Sequence, residues 1–189
     1  MDLAIIRHTR LDIDSGRCYG QSEVALADSF DSELASLQSR LTAPHGSVYS
    51  SPAQRCSHLA RQFTDSIETD ERLLEYHFGD WEMMRWDDID MAELNPWMQD
   101  FVHLSPPNGE SMMQMFARVA EFMNQLRERD HQRCLIVTHA GVIRCIWAYL
   151  LNIPLAEIFK LDVGYGEVLR CKLATESASD VVYTHQTVI

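Results

Sequence analysis

Two short apolar runs in this chain end in histidine: Leu3-Ala4-Ile5-Ile6-Arg7-His8-Thr9, and Leu135-Ile136-Val137-Thr138-His139-Ala140-Gly141. An imidazole can attack as a nucleophile, pass a proton or hold an anion. Arg7 sets a guanidinium directly beside His8, and its planar fork suits a phosphate or carboxylate. Arg55 falls in the first turn of a helix that Ser51-Pro52 should open. A cation is disfavoured there by the helix dipole unless an anion shares the site. Ala140-Gly141, after His139, lets the backbone approach closely before a helix begins. Glu75 stands between Leu73-Leu74 and Tyr76-His77-Phe78, and a carboxyl flanked by aromatic side chains has the surroundings a general acid needs. Taken singly, each residue has a plainer reading: His8 a core histidine closing a strand, Arg55 a solvated arginine, His139 a packed turn residue, Glu75 a surface carboxylate.

The elements decide whether these groups meet. A buried strand is predicted at about residues 2–8. A polar loop through Gly16 and Gly20 follows, then a helical pattern carried by Phe30, Leu34, Leu37 and Leu41. Ser47 to Ser50 reads as a short strand, with Ser51 as N-cap and Pro52 at the first position of the next helix. A third extended segment is expected near Arg72–Glu75. From His77 to Ser105 the pattern is irregular, and Trp81, Met83, Met84, Trp86, Met91, Trp97 and Met98 form either a satellite core or an apolar wall for a flat ring. After Pro106-Pro107-Asn108-Gly109, helical spacing links Met112, Met115, Phe116, Val119, Phe122, Met123 and Leu126. Cys134–Thr138 is a buried strand, Gly141 opens a helix to about Leu151, and Glu167–Leu173 alternates like a late strand. This order predicts an α/β domain with a mostly parallel sheet, where both histidines reach the strand C-terminal edge that binds ligands.

The composition narrows the possible partners. The 189 residues, 46% of them hydrophobic, fit one domain with a sizeable core. A net charge of −12 argues against nucleic acid and anionic membranes, while a small anion remains compatible with local positive charge. Among the basic residues only Lys160 and Lys172 are lysines. Cys18, Cys56, Cys134, Cys145 and Cys171 follow neither a disulfide nor a zinc spacing, and the histidines make no H-E-x-x-H, so no metal is expected. With no signal-peptide or membrane-spanning run, a cytoplasmic location is expected.

In order along the chain, these residues resemble the histidine phosphatase superfamily, the phosphoglycerate-mutase-like enzymes. Its Arg-His pair matches Arg7-His8, with Thr9 in place of the usual Gly. Its Ser-Pro-x-x-Arg matches Ser51-Pro52-Ala53-Gln54-Arg55, and its Leu-x-Glu before Phe-Gly-x-Trp-Glu matches Leu73-Leu74-Glu75 before Phe78-Gly79-Asp80-Trp81-Glu82. Pro107-Asn108-Gly109-Glu110-Ser111 and Thr138-His139-Ala140-Gly141 complete the set, across about the first 145 residues. Within the superfamily, Gly16-Arg17-Cys18-Tyr19-Gly20 and Trp86-Asp87-Asp88-Ile89 look most like the α-ribazole phosphatases. Met83 replaces the Gly that commonly follows Trp-Glu, and Glu23 stands where Asp is usual.

The resemblance implies a three-layer α/β/α fold, a single domain over 1–189 with a lid-like insertion at about 77–108. It also implies a cofactor-free phosphomonoesterase acting on a small phosphorylated metabolite. His8 would be the nucleophile, Arg7, Arg55 and His139 the phosphate ligands, and Glu75 the acid and base. Thr9, Tyr19, Gly20 and Ala140 would complete the substrate site. The substrate would be α-ribazole 5′-phosphate or adenosylcobalamin 5′-phosphate in cobalamin nucleotide-loop assembly. Another small phosphate ester such as a sugar phosphate, or a cofactor-dependent mutase reaction, is the alternative.

Overall fold

Asp2–Arg7 form β1, the strand from which the rest of the sheet is laid out. Leu3, Ala4, Ile5 and Ile6 are all buried, the continuous apolar run of a strand covered on both faces. The computed structural model describes residues 1–41 and 46–183. Beyond β1 they form α1 (Phe30–Arg40), β2 (Ser47–Ser50), α2 (Gln54–Ala60), β3 (Glu68–Thr69), α3 (Met91–Gln99), α4 (Met112–Arg127), β4 (Arg133–Thr138), α5 (Ala140–Leu151), β5 (Val168–Lys172) and β6 (Val181–Tyr183).

The strands make one six-stranded sheet in the order β3-β2-β4-β1-β5-β6. β3, β2, β4 and β1 run parallel, and β5 and β6 join antiparallel. Parallel pairing of β1 with β4 sets Arg7 opposite Thr138, so His8 and His139 emerge side by side at one edge. Because β5 runs the other way, its entering end lies at that same edge.

Helices cover both faces. On one, Leu3, Ile5, Ile136 and Leu169 pack with Met115, Val119 and Phe122 of α4 and Val142 and Ile146 of α5. On the other, Ala4, Ile6, Leu135 and Val137 pack with Leu37 of α1 and Cys56 and Leu59 of α2. Each such fully buried side chain contributes about 1.5–3 kcal/mol through loss of water contact. The result is the expected α/β/α layering. At the start of α4, Ser111 accepts from the Gln114 N–H while the Gln114 side chain accepts from the Ser111 N–H, a reciprocal cap.

Three local expectations are corrected. α2 begins at Gln54 rather than Pro52, with Ala53 as N-cap and no side-chain cap bond. Ser51 Oγ accepts from the Ala53 N–H at 3.3 Å, ahead of the helix, and also lies 2.8 Å from His139 Nε2. The third strand lies at Glu68–Thr69, and Glu71–Leu73 turn as a 3-10 helix capped by the Asp70 carboxylate, so Arg72–Glu75 is not a strand. α5 starts one residue before Gly141, at Ala140.

Candidate active site

Arg7 and His8 leave β1 at its C-terminal end, where the His8 N–H donates to Thr138 O (3.0 Å) and Gly166 N–H donates to His8 O (3.2 Å). The His8 ring is held too: Nδ1 lies 2.8 Å from Thr9 O. A carbonyl only accepts, so Nδ1 carries the proton and Nε2 keeps its lone pair. His8 is 1% exposed. Burial, then the Arg55 charge, pull its pKa down to about 3; the Thr9 carbonyl pulls the other way, and the Arg7 charge adds the smallest lowering. The imidazole is therefore neutral at any physiological pH.

His139 is the N-cap of α5, fully buried, its ring centroid 5.2 Å from that of His8. Arg55 Nε–H donates to His139 Nδ1 at 3.3 Å. Burial first, then the nearby His8 and the arginine charges, hold His139 well below the usual histidine range. Cys56 Sγ is also close, 3.5 Å from His139 Nε2, but burial pushes that thiol far up and leaves it a packing group.

Arg55 is itself 1% exposed, a burial that a guanidinium tolerates only with partners. It donates to Ser22 O at 2.8 Å and Gly20 O at 2.5 Å. The loop that offers these carbonyls is gathered by Glu82, whose carboxylate accepts from the N–H groups of Gly20, Gln21, Ser22 and Phe78 and from Ser22 Oγ. Burial works to raise the Glu82 pKa, yet those donors together lower it. Only glycine fits at position 20, since a Cβ would lie 1.9 Å from Tyr76 O. Arg7 donates to Val163 O at 2.6 Å, and its Nε–H, like Thr9 Oγ1, is buried with no hydrogen-bond partner among the described residues. That N–H remains free to bond an anion.

Glu75 faces this cluster from the loop after Leu73. Its Oε1 accepts from Tyr76 N–H (2.9 Å) and its Oε2 from the Gly141 N–H (3.1 Å) in the first turn of α5. A side chain at 141 would collide, a Cβ falling 2.2 Å from Glu75 Oε1. Arg118 of α4 fixes the loop from beneath, donating to the carbonyls of Arg72, Leu74 and Glu75 and to both oxygens of Glu110. Ala140 is the first residue of α5, beside His139.

The structure thus brings Arg7, His8, Arg55, Glu75 and His139 to one sheet edge, with Thr9, Tyr19, Gly20 and Ala140 around them. Sequence reasoning named Tyr19 but missed its partner: the Tyr19 and Tyr165 hydroxyls are 2.7 Å apart, and burial followed by this bond raises the Tyr19 pKa. Glu82 entered the sequence pattern only as a motif letter, and Arg118 sat unmarked on a helix face. The one available signal for either was a charged residue beside buried positions. Trp81 is 2% exposed and packs with Cys18, Ile89 and Leu94, while Trp97 meets Trp81, Trp86 and Phe101. These rings form a satellite core beneath the connection.

A neutral, pre-oriented imidazole among two guanidinium groups, opposite a carboxylate, can accept a phosphoryl group and return it to water. Among the described residues, no group of three or more His, Cys, Asp or Glu side chains is arranged to hold a metal ion, and no helix is long and apolar enough to cross a membrane.

Residues 3–186 match the family described as "Histidine phosphatase superfamily (branch 1)". The chain is 30% identical over 176 residues to the adenosylcobalamin/alpha-ribazole phosphatase of Salmonella typhimurium, covering 88% of this chain and 87% of that one. It is 31% identical over 180 residues to the enzyme of the same name from Escherichia coli, with the same coverage. Among solved structures, the alpha-ribazole phosphatase from Shigella flexneri superposes with a TM-score of 0.89 at 26% identity, over 99% of this chain and 96% of that one.

Proposed function

This chain belongs to the histidine phosphatase superfamily and is a phosphatase, and we propose that it hydrolyses a phosphate monoester through a phosphohistidine at His8, with α-ribazole 5′-phosphate or adenosylcobalamin 5′-phosphate as substrate. The observation that carries the mechanism is the bond from His8 Nδ1 to Thr9 O, which leaves the Nε2 lone pair for attack.

In the first step that lone pair attacks phosphorus, the ester P–O bond breaks, and Glu75 gives its proton to the departing alkoxide. Arg7, Arg55 and His139 hold the non-bridging oxygens, where losing one such donor costs on the order of 10²–10³ in rate. In the second step Glu75, now a carboxylate, takes a proton from water as its oxygen attacks phosphorus. The N–P bond breaks, the lone pair returns to His8, and phosphate leaves. The substrate assignment rests on the names of the relatives, together with the Gly16–Gly20 and Trp86–Ile89 segments.

The deciding experiment compares kcat/KM for α-ribazole 5′-phosphate with sugar phosphates, nucleotides and phosphoglycerates. The reading expects α-ribazole 5′-phosphate to lead by at least tenfold. A wide lead for another ester would overturn the substrate and leave the chemistry standing. Rapid acid-free quenching with labelled substrate tests the chemistry separately: label should appear on wild-type protein and be absent from His8→Ala.

A further inference from the structure

The family motifs end near Gly141, yet the pocket does not. In the segment Val163-Gly164-Tyr165-Gly166-Glu167, just before β5, every residue but Gly164 contacts the Arg7-His8 pair. Val163 O accepts from the Arg7 guanidinium. Glu167 O accepts from Arg7 N–H, and Gly166 N–H donates to His8 O. Gly166 has φ +63°, a left-handed conformation that glycine adopts without strain. The turn it makes lays the Tyr165 ring against Arg7, with the guanidinium carbon 3.8 Å from the ring centroid.

That stacking is close enough for a cation over an aromatic face to restrict the guanidinium plane. The same ring lies 5.6 Å from the His8 ring. Its hydroxyl is pinned by Tyr19, whose own ring lies 5.9 Å from the Arg55 guanidinium carbon. Arg7 is thus fixed on one side by Val163 O and on one face by Tyr165. One of its five donors, Nε–H, has no hydrogen-bond partner among the described residues. A long side chain constrained in this way loses little further freedom when an anion arrives, which favours binding.

We propose that Tyr165 is a positioning residue for the reaction, its ring holding the Arg7 guanidinium in the orientation that receives the phosphate group. This rests on the reading above that Arg7 is a phosphate ligand, and the test separates the two.

Inorganic phosphate and orthovanadate serve as probes, their binding measured by calorimetry and by inhibition of p-nitrophenyl phosphate hydrolysis. Tyr165→Leu should weaken phosphate and vanadate about tenfold and raise KM by a similar factor. Tyr165→Phe, which keeps the ring, should stay within about threefold of wild type. Tyr165→Met supplies a second ring-free variant should Leu fold poorly, with circular dichroism melts confirming the fold of each. In an Arg7→Ala background, Tyr165→Leu or Tyr165→Met should cause no further loss of anion affinity, because the group it orients is gone. A merely structural tyrosine would give losses that multiply. Wild-type anion affinity in a folded Leu or Met variant, multiplying losses in the double variant, or a Phe variant as impaired as Leu would overturn the proposal. If Arg7→Ala alone leaves phosphate affinity unchanged, the phosphate-ligand reading fails and the proposal falls with it. If Arg7→Ala weakens binding and the ring-free variants do not, only the role of Tyr165 fails.

Discussion

Arg55 Nε–H points at His139 Nδ1 from 3.3 Å, and this one bond sets the tautomer of the second histidine. Arginine can only donate, so the lone pair of His139 is at Nδ1 and its proton at Nε2, 2.8 Å from Ser51 Oγ; this single N–H is the donor that a bound phosphate oxygen would take over from Ser51. The Arg55 side chain ties His139 to the carbonyls of Gly20 and Ser22 at the same time. Arg55→Ala should therefore lower kcat/KM by at least the 10²–10³ expected for one lost oxyanion donor. Arg55→Lys should recover little of it, since an ammonium is a point charge without the planar fork that reaches three acceptors. Steady-state kinetics on p-nitrophenyl phosphate read both values.

Glu82 acts on the site through that same loop. Glu82→Gln replaces an oxygen facing backbone N–H groups by an NH₂ that cannot accept, leaving some of those donors unsatisfied. The loss should be about 1.5–3 kcal/mol, the range for hydrogen bonds to a charged group. In a chain of this size that is a fall in Tm of roughly 3–12 °C. Gly20 O and Ser22 O would also loosen around Arg55, so kcat/KM should fall on the order of tenfold. Thermal melts and kinetics on one preparation check both.

Met83 has φ 65°, in the left-handed region that a branched or bulky side chain resists, and is 38% exposed. Its N–H still bonds Cys18 O and its carbonyl still accepts from Arg17. Met83→Gly should keep both bonds and relieve about 1 kcal/mol of backbone strain, partly offset by the greater freedom of glycine when unfolded. The expected result is a Tm unchanged or raised by a few degrees, with kinetics untouched. A clear loss of stability would mean that the Met83 side chain packs to more effect than its exposure indicates.

Both buried histidines make stability depend on pH. Unfolded, each binds a proton near the ordinary value of about 6.5. Folded, His8 does so only near 3 and His139 well below 6.5. The unfolded chain thus binds more protons once pH falls below about 6.5, and stability drops with acid, by up to about 1.4 kcal/mol per pH unit for each histidine. For His8 the loss runs down to about pH 3. Urea midpoints at pH 7, 6 and 5 should fall steadily, and His8→Asn should flatten the slope by about one proton's worth.

Much of this was readable in advance where a single physical signal dominates. β1, β4, α4 and α5 announce themselves through unbroken apolar runs or strict helical spacing, and the Arg-His and Thr-His motifs sit at their ends. Ser51 shows where that logic stops. Ser-Pro is an ordinary helix opening, and only the parallel register of β2 with β4 turns Ser51 toward His139. Glu68–Thr69 is too short to show a period, and exists because β2 offers it an edge. Tyr165 depends on β5 running antiparallel, which no local pattern specifies.

The strand order carries one more consequence, for how the chain is made. β1, which ends at the Arg7-His8 pair, is made well before its two neighbours, since β4 and β5 begin only at Arg133 and Val168. Until those segments leave the ribosome, both edges of an apolar strand lack their native partners. Closing such distant pairings is slow, and an open apolar edge in the interval invites pairing with other chains. Yield in cells should accordingly be more sensitive to translation speed and chaperone supply than the stability of the finished sheet would suggest.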